Sequence, residues 1–169
     1  HYQAFTRSVK GRFVMFVHSS VTYLSQSEAT VFRKRIINEG HLKAVVNLPK
    51  FFTRLVPFPV CAMVFDTTIQ SDKVAFLDLS GKDCIDSELS DRQHNVLNTD
   101  SALELKKVLS GEKTGHSVFI ESDRLNDDKC LLDPSCYVAG PEHEESVNYI
   151  ERGELRLADV AQIYRAQVC

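Results

Sequence analysis

At 169 residues, with 43% hydrophobic and 25% charged residues, the chain has the size and make-up of one globular domain able to bury its own core. A domain near this length hides about 68–70% of the surface of its unfolded chain, so folding requires no metal or disulfide staple. The formal charge of −3 argues against a free-standing DNA binder, because phosphate neutralisation shows as an excess of Lys and Arg. No apolar stretch reaches the length of a membrane span and the amino terminus has no basic-then-apolar leader, so the expectation is a cytoplasmic protein that is neither exported nor membrane-bound. The five cysteines are odd in number, widely spaced and partly embedded in apolar runs such as Val60-Cys61-Ala62-Met63-Val64; they read as reduced thiols.

The first strong signal is Arg12-Phe13-Val14-Met15-Phe16-Val17, an apolar run opened by Gly11, which predicts a strand covered on both faces. Ser27 then caps a helix with apolar residues at Ala29, Phe32, Ile36 and Ile37, and Gly40 ends it. Residues 42–48 read as the next strand, closed by Pro49. A loop follows that sets Lys50 and Arg54 around the adjacent aromatics Phe51 and Phe52. Residues 60–65 form another buried strand. After the polar turn 67–72, residues 74–79 make a further strand, expected to lie antiparallel to its predecessor because the connection is short. The acidic, Ser-rich stretch 81–100 reads as loop with a helical turn, 101–109 as a helix stopped by Gly111, and 117–122 as a short strand. Beyond it lie the acidic patch 142–145 and a return to helical period over 155–164.

A strand, helix, strand and tightly joined strand make a βαβ unit ending in a hairpin-like pair, as in the second half of a doubly wound sheet. Such sheets bind ligands at the carboxyl ends of their strands, which singles out His18-Ser19-Ser20 and the 49–59 loop. His18 reads first as a polar strand end and only second as part of a substrate surface. A Ser/His/Asp triad from His18, Ser19 and Asp78 has no nucleophile elbow to support it. The loop cations beside aromatic faces suit stacking an exposed base, against the simpler reading of two aromatics closing the core edge. His41, His94, His116 and His143 lack the spacing for shared ligation, so no metal is expected, and no phosphate-cradling glycine loop occurs. Asp133-Pro134-Ser135-Cys136-Tyr137 superficially suggests the Asp/Asn-Pro-Pro-aromatic loop of amino-methyltransferases, but its second proline is missing and its aromatic is displaced; it is a false match.

The succession Gly11-Arg12-Phe13-Val14-Met15-Phe16-Val17, then Val31-Phe32-Arg33-Lys34-Arg35-Ile36-Ile37-Asn38-Glu39-Gly40, then Leu42-Lys43-Ala44-Val45-Val46-Asn47-Leu48-Pro49, resembles the N6-adenine DNA methylase family of type I modification subunits. Phe58-Pro59-Val60-Cys61-Ala62-Met63-Val64-Phe65 is similar to the family's next strand, Leu132-Asp133-Pro134-Ser135-Cys136-Tyr137 to the element closing its methylase region, and 155–163 to the opening of a target-recognition region. The match is good over 8–80 and loose over 117–165. The resemblance implies an α/β fold: the C-terminal half of a Rossmann-like, S-adenosylmethionine-dependent methyltransferase sheet, mixed with an antiparallel strand pair. It implies three parts: 1–80 from the methyltransferase domain, 81–140 as the remainder of the methylase region, and 141–169 as linker and start of a target-recognition region.

It further implies S-adenosylmethionine as donor and a flipped adenine as acceptor in the parent enzyme, with DNA, a specificity subunit and a restriction subunit as partners. The family's F-x-G-x-G cofactor loop and its Asp/Asn-Pro-Pro-Tyr/Phe motif lie upstream of the equivalent of Gly11, so no catalytic or cofactor-binding residue is expected here and the chain should be silent alone. By the family pattern, Phe52, with Phe51 as alternate, lies against the flipped base, and Lys50, Arg54 and His18 are the remaining DNA-contact candidates. The competing expectation is a non-catalytic scaffold contacting the specificity or restriction subunits.

Overall fold

The computed structural model describes residues 10–25, 27–50, 58–92, 94–126 and 129–138. The chain divides into two units, His1–Val138 and Ala139–Cys169, and every described residue falls in the first. The predicted helical period at 155–164 and the acidic patch at 142–145 lie outside the described residues.

Five strands, β1 Arg12–His18, β2 Leu42–Asn47, β3 Val60–Asp66, β4 Lys73–Asp78 and β5 Ser117–Glu121, form one mixed sheet in the order β1-β3-β2-β4-β5. β3 lies between β1 and β2 and runs antiparallel to both, β2 and β4 are parallel, and β5 is antiparallel to β4. The short connection from β3 to β4 therefore makes no hairpin. Both edges of β3 are already hydrogen-bonded, so β4 steps over the start of β2 and pairs on its far side. The turn is held there by Asp66 N donating to His41 O (2.9 Å) and Ser71 N donating to Gly40 O (2.8 Å). Gly40, at φ +68°, supplies the left-handed backbone that ends the preceding helix.

Helices α1 Ser20–Tyr23 and α2 Ser27–Asn38 link β1 to β2; α3 Thr99–Leu109 and α4 Ser122–Leu125 flank β5. α3 begins two residues before the predicted start because the Asn98 side chain caps it, accepting from Ser101 N at 2.8 Å. Alternation along the central strands feeds two cores. Val45, Cys61, Met63, Phe65 and Phe76 pack on one face against Ile36 and Ile37 of α2 and against Leu125, Cys130 and Leu132. Ala44, Val46, Ala62, Val64, Ala75 and Leu77 face the other way, against Val108 of α3 and Cys84. This explains the continuous apolar runs of β2 to β4, which are covered on both sides.

β1 behaves differently from its prediction. Phe13, Met15 and Val17 pack on the first core, with Phe13 stacked on Phe65 at 4.8 Å, but Val14 and Phe16 on the opposite face are 50% and 59% exposed. Among the described residues β1 is also a sheet edge. None of the helices in the described residues is long and apolar enough to cross a membrane.

Arg33, in the middle of α2, is wholly buried. Its guanidinium donates to the carbonyls of Cys130 (2.6 Å), Val21 (2.8 Å), Leu24 (3.0 Å) and Lys129 (3.0 Å) and to Thr30 Oγ1 (3.2 Å). One planar fork thus fastens the 129–132 segment onto α1 and α2, using the fixed donor geometry that arginine alone offers.

Candidate functional site

The carboxyl ends of β1, β2 and β4 lie at the same end of the sheet as the start of β3, and the Pro134–Cys136 turn closes over them. Together they shape an open cleft of about 680 Å³ whose walls include Ser19, Asn47, Lys50, Asp78, Asn95 and Asp133. Backbone bonds fix its floor: Ser19 N donates to Pro59 O (3.1 Å), Leu48 N to Val60 O (3.0 Å) and Leu79 N to Asn47 O (3.0 Å).

Asn47, at the tip of β2, is the central polar group. Its Nδ2 donates to Asp133 Oδ1 at 3.0 Å, while its Oδ1 is buried with no hydrogen-bond partner among the described residues. Asp133 Oδ1 also accepts from Ser135 N and Ser135 Oγ, and Asp78 Oδ1 accepts from Ser80 N and Ser80 Oγ. The false amino-methyltransferase match is thereby accounted for: Asp133 caps a 3₁₀ turn and anchors Asn47. Behind these carboxylates the Cys61 thiol is pushed up to about 12, by burial first and by the charges of Asp133 and Asp78 second, so it is no nucleophile.

His18 is exposed at the end of β1, its ring 5.6 Å from that of Phe58. Its Nδ1 accepts from Ser20 N at 3.1 Å and meets Ser20 Oγ at 2.8 Å. Since Asp78 bonds Ser80 and His18 bonds Ser20, the residues weighed as a hydrolase triad are not assembled. Lys50 is exposed at the cleft rim, where its carbonyl accepts from Asn95 Nδ2. Phe51, Phe52 and Arg54 lie outside the described residues. Sequence reasoning did not single out Asn47, set Asp133 aside as part of a false match and took Phe58 only as part of the 49–59 loop, although the cleft is built from the strand ends that it singled out.

A cofactor with an adenosyl group needs a glycine turn where the backbone can come close. The glycines among the described residues are Gly11, Gly40, Gly81, Gly111 and Gly115; of the two near the cleft end of the sheet, Gly81 follows β4 where an added Cβ would meet Asp83 Oδ1 at 2.3 Å, and Gly115 leads into β5 and so forms no turn from a strand into a helix. The carboxylates of Asp78 and Asp133 crowd the same end. The described residues therefore do not fit S-adenosylmethionine.

An antiparallel strand inserted between two strands of a βαβ unit, with a further parallel strand beyond, defines a Rossmann-like sheet of the methyltransferase kind. The family model for N-6 DNA methylase matches residues 4–146, and the chain belongs to that family. Among solved structures, it is similar to the methyltransferase subunit of a type I restriction-modification system from Streptococcus thermophilus, at 16% identity and TM-score 0.64, covering 76% of this chain and 26% of that one. It is also similar to a chain of a type I R-M system studied for its complex assembly and conformational transition, at 12% identity and TM-score 0.56, over 95% of this chain and 36% of that one. A modification subunit from Vibrio vulnificus YJ016 matches at 13% identity and TM-score 0.56, over 86% and 32%. The chain thus spans between 26% and 36% of the length of these structures. No curated protein matches it.

Proposed function

We propose that this chain is the C-terminal half of the catalytic sheet of a type I modification subunit, which in its complete form transfers a methyl group from S-adenosylmethionine to the N6 amine of adenine in DNA. The observation that carries the reading is the sheet itself: β3 is inserted between β1 and β2, and β1 keeps an edge and a half-exposed face, through Val14, where a further strand and helix fit. On this reading residues 1–80 belong to the methyltransferase domain, 81–140 complete the methylase region, and 141–169 lead into target recognition. Cofactor and catalytic groups come from the other half of the sheet, so this chain alone transfers nothing.

The 50–59 loop, with Phe52 or Phe51 stacking the flipped base and Lys50, Arg54 and His18 beside the strand, supplies the DNA side of the site. The carboxylates of Asp78 and Asp133 repel phosphate, so DNA meets this cleft only at its Lys50 rim. A specificity subunit and a restriction subunit complete the assembly.

Calorimetric titration of S-adenosylmethionine into this chain and into a longer polypeptide carrying the upstream motifs tests the proposal. Binding by the long form alone is expected, and binding by this chain would refute the division of the site. Loss of methyl transfer in the long form on Phe52→Ala, with cofactor affinity unchanged, would support the base-stacking role.

A further inference from the structure

After β4 the chain folds back along the sheet, so that the 3₁₀ turn Lys82–Cys84, one side of α3 and the turn before β5 meet at one place. There Asp83, Cys84 and His116 bring a carboxylate oxygen, a thiol sulfur and an imidazole nitrogen within 4.8 Å of one another. His116 Nε2 lies 3.2 Å from Asp83 Oδ2, and its Nδ1 lies 2.8 Å from Glu104 Oε2. Cys84 is 1% exposed and meets Ser101, whereas the His116 and Asp83 side chains are 41% and 69% exposed, so the group has a closed floor and an open mouth.

We infer that Asp83, Cys84 and His116 bind one zinc-class divalent cation, with Glu104 as the positioning residue for the imidazole. A sulfur, a nitrogen and an oxygen at this separation are the donor set that zinc takes, and three protein ligands leave a fourth position for water. The carboxylate on the far ring nitrogen supplies a second, independent sign. A metal-bound histidine almost always donates its other N–H to such a group, which fixes the tautomer and turns the free lone pair toward the cation. Glu104 does this here from α3, an element distinct from those carrying the ligands. An imidazolium bridged by two carboxylates accounts for Asp83, His116 and Glu104, and core packing for the body of Cys84, but neither calls for the sulfur to converge with the carboxylate and the imidazole.

When the cation binds, the Cys84 thiol gives its proton to solvent, and the buried thiolate gains the positive partner it otherwise lacks. The site ties the 82–84 turn to the start of β5, so binding stabilises the fold by mass action.

Cobalt(II) chloride titrated into the full chain reads the site directly. A thiolate-to-cobalt charge-transfer absorption that saturates at one equivalent is expected, and zinc chloride should displace it. Cys84→Ser should abolish the band. Asp83→Asn, at an exposed side chain, should weaken binding by at least about tenfold, and Glu104→Gln by about 10–100-fold. Absence of the band, or a band of equal strength in Cys84→Ser, overturns the assignment. If Cys84→Ser does not fold, the exposed-site variant decides: unchanged cobalt affinity in Asp83→Asn refutes the site.

Discussion

Replacing Arg33 by methionine keeps most of the side-chain volume and deletes the guanidinium. Four backbone carbonyls, those of Val21, Leu24, Lys129 and Cys130, lose their donor in a region where Arg33 itself has no exposure. An acceptor left unsatisfied in the interior costs about 1–3 kcal/mol, and carbonyls that water reaches after the change sit at the low end. Four acceptors at about 1 kcal/mol each give roughly 4 kcal/mol, partly offset because the variant no longer desolvates a charge. A net loss of about 3–4 kcal/mol is a large share of the 5–15 kcal/mol that holds a typical domain together.

Arg33→Lys should lose about 2 kcal/mol, since one ammonium cannot span a planar array of five acceptors. The damage should centre on 129–132, where Cys130 sits at φ +46° with its carbonyl held by Arg33 Nε. Urea unfolding followed by circular dichroism measures the loss as a shift in midpoint, and hydrogen exchange at Leu132 N, which bonds Thr22 O, locates it. An Arg33→Met variant within about 0.5 kcal/mol of the parent, a shift ordinary for surface changes, would sink the reasoning.

The Asp66 carboxylate accepts from Thr68 N and Thr68 Oγ1 and pairs with Arg12, and these contacts, Thr68 foremost, hold it near about 2. Its folded-state value lies below the unfolded one, so its contribution is present above the ordinary carboxylate range and lost as pH falls toward 2. Asp66→Asn should therefore flatten the acid arm of a stability-versus-pH profile, and an unchanged arm would refute this. Gly40→Ala should cost about 1 kcal/mol by thermal unfolding, from backbone strain at φ +68° and not from crowding, because the nearest atom to an added Cβ is Gln70 at 3.6 Å. Alkylation of the native chain near pH 8, mapped by mass spectrometry, should modify Cys136, which is exposed, and spare the buried Cys61, whose thiol stands near about 12.

The strands and α2 were legible because each rests on local signals: a run of apolar residues, a capping side chain, a terminal glycine. Neighbour relations were not. The turn 67–72 has hairpin length, and nothing local says that both edges of β3 are occupied by strands lying before it in the chain. Arg33 breaks the amphipathic pattern of α2, and its acceptors at 129 and 130 lie far along the chain, so its burial had no sequence cue. The candidate site was half visible. The rule that ligands bind at carboxyl strand ends located it, but Asn47 and Asp133 meet only in the fold, 86 residues apart in sequence. Histidine spacing likewise gave no sign that Asp83, Cys84 and His116 come together, because two of them are consecutive and the third comes from beyond α3.

The place of β3 in the sheet also governs the order in which the molecule can be built. β1 and β2 share no hydrogen bonds, and each waits for residues 60–66 before it gains a partner on that side. A nascent chain that has emerged only as far as α2 carries an apolar β1 whose β3-side edge is unpaired, so that edge is exposed to wrong pairing with other chains until the β3 segment arrives. Pairings such as Arg12 with Asp66 and Lys73 with Glu121 close long loops, which places this unit among slowly folding topologies. During biosynthesis, the interval between translation of β1 and of β3 is the window in which a chaperone has most to protect.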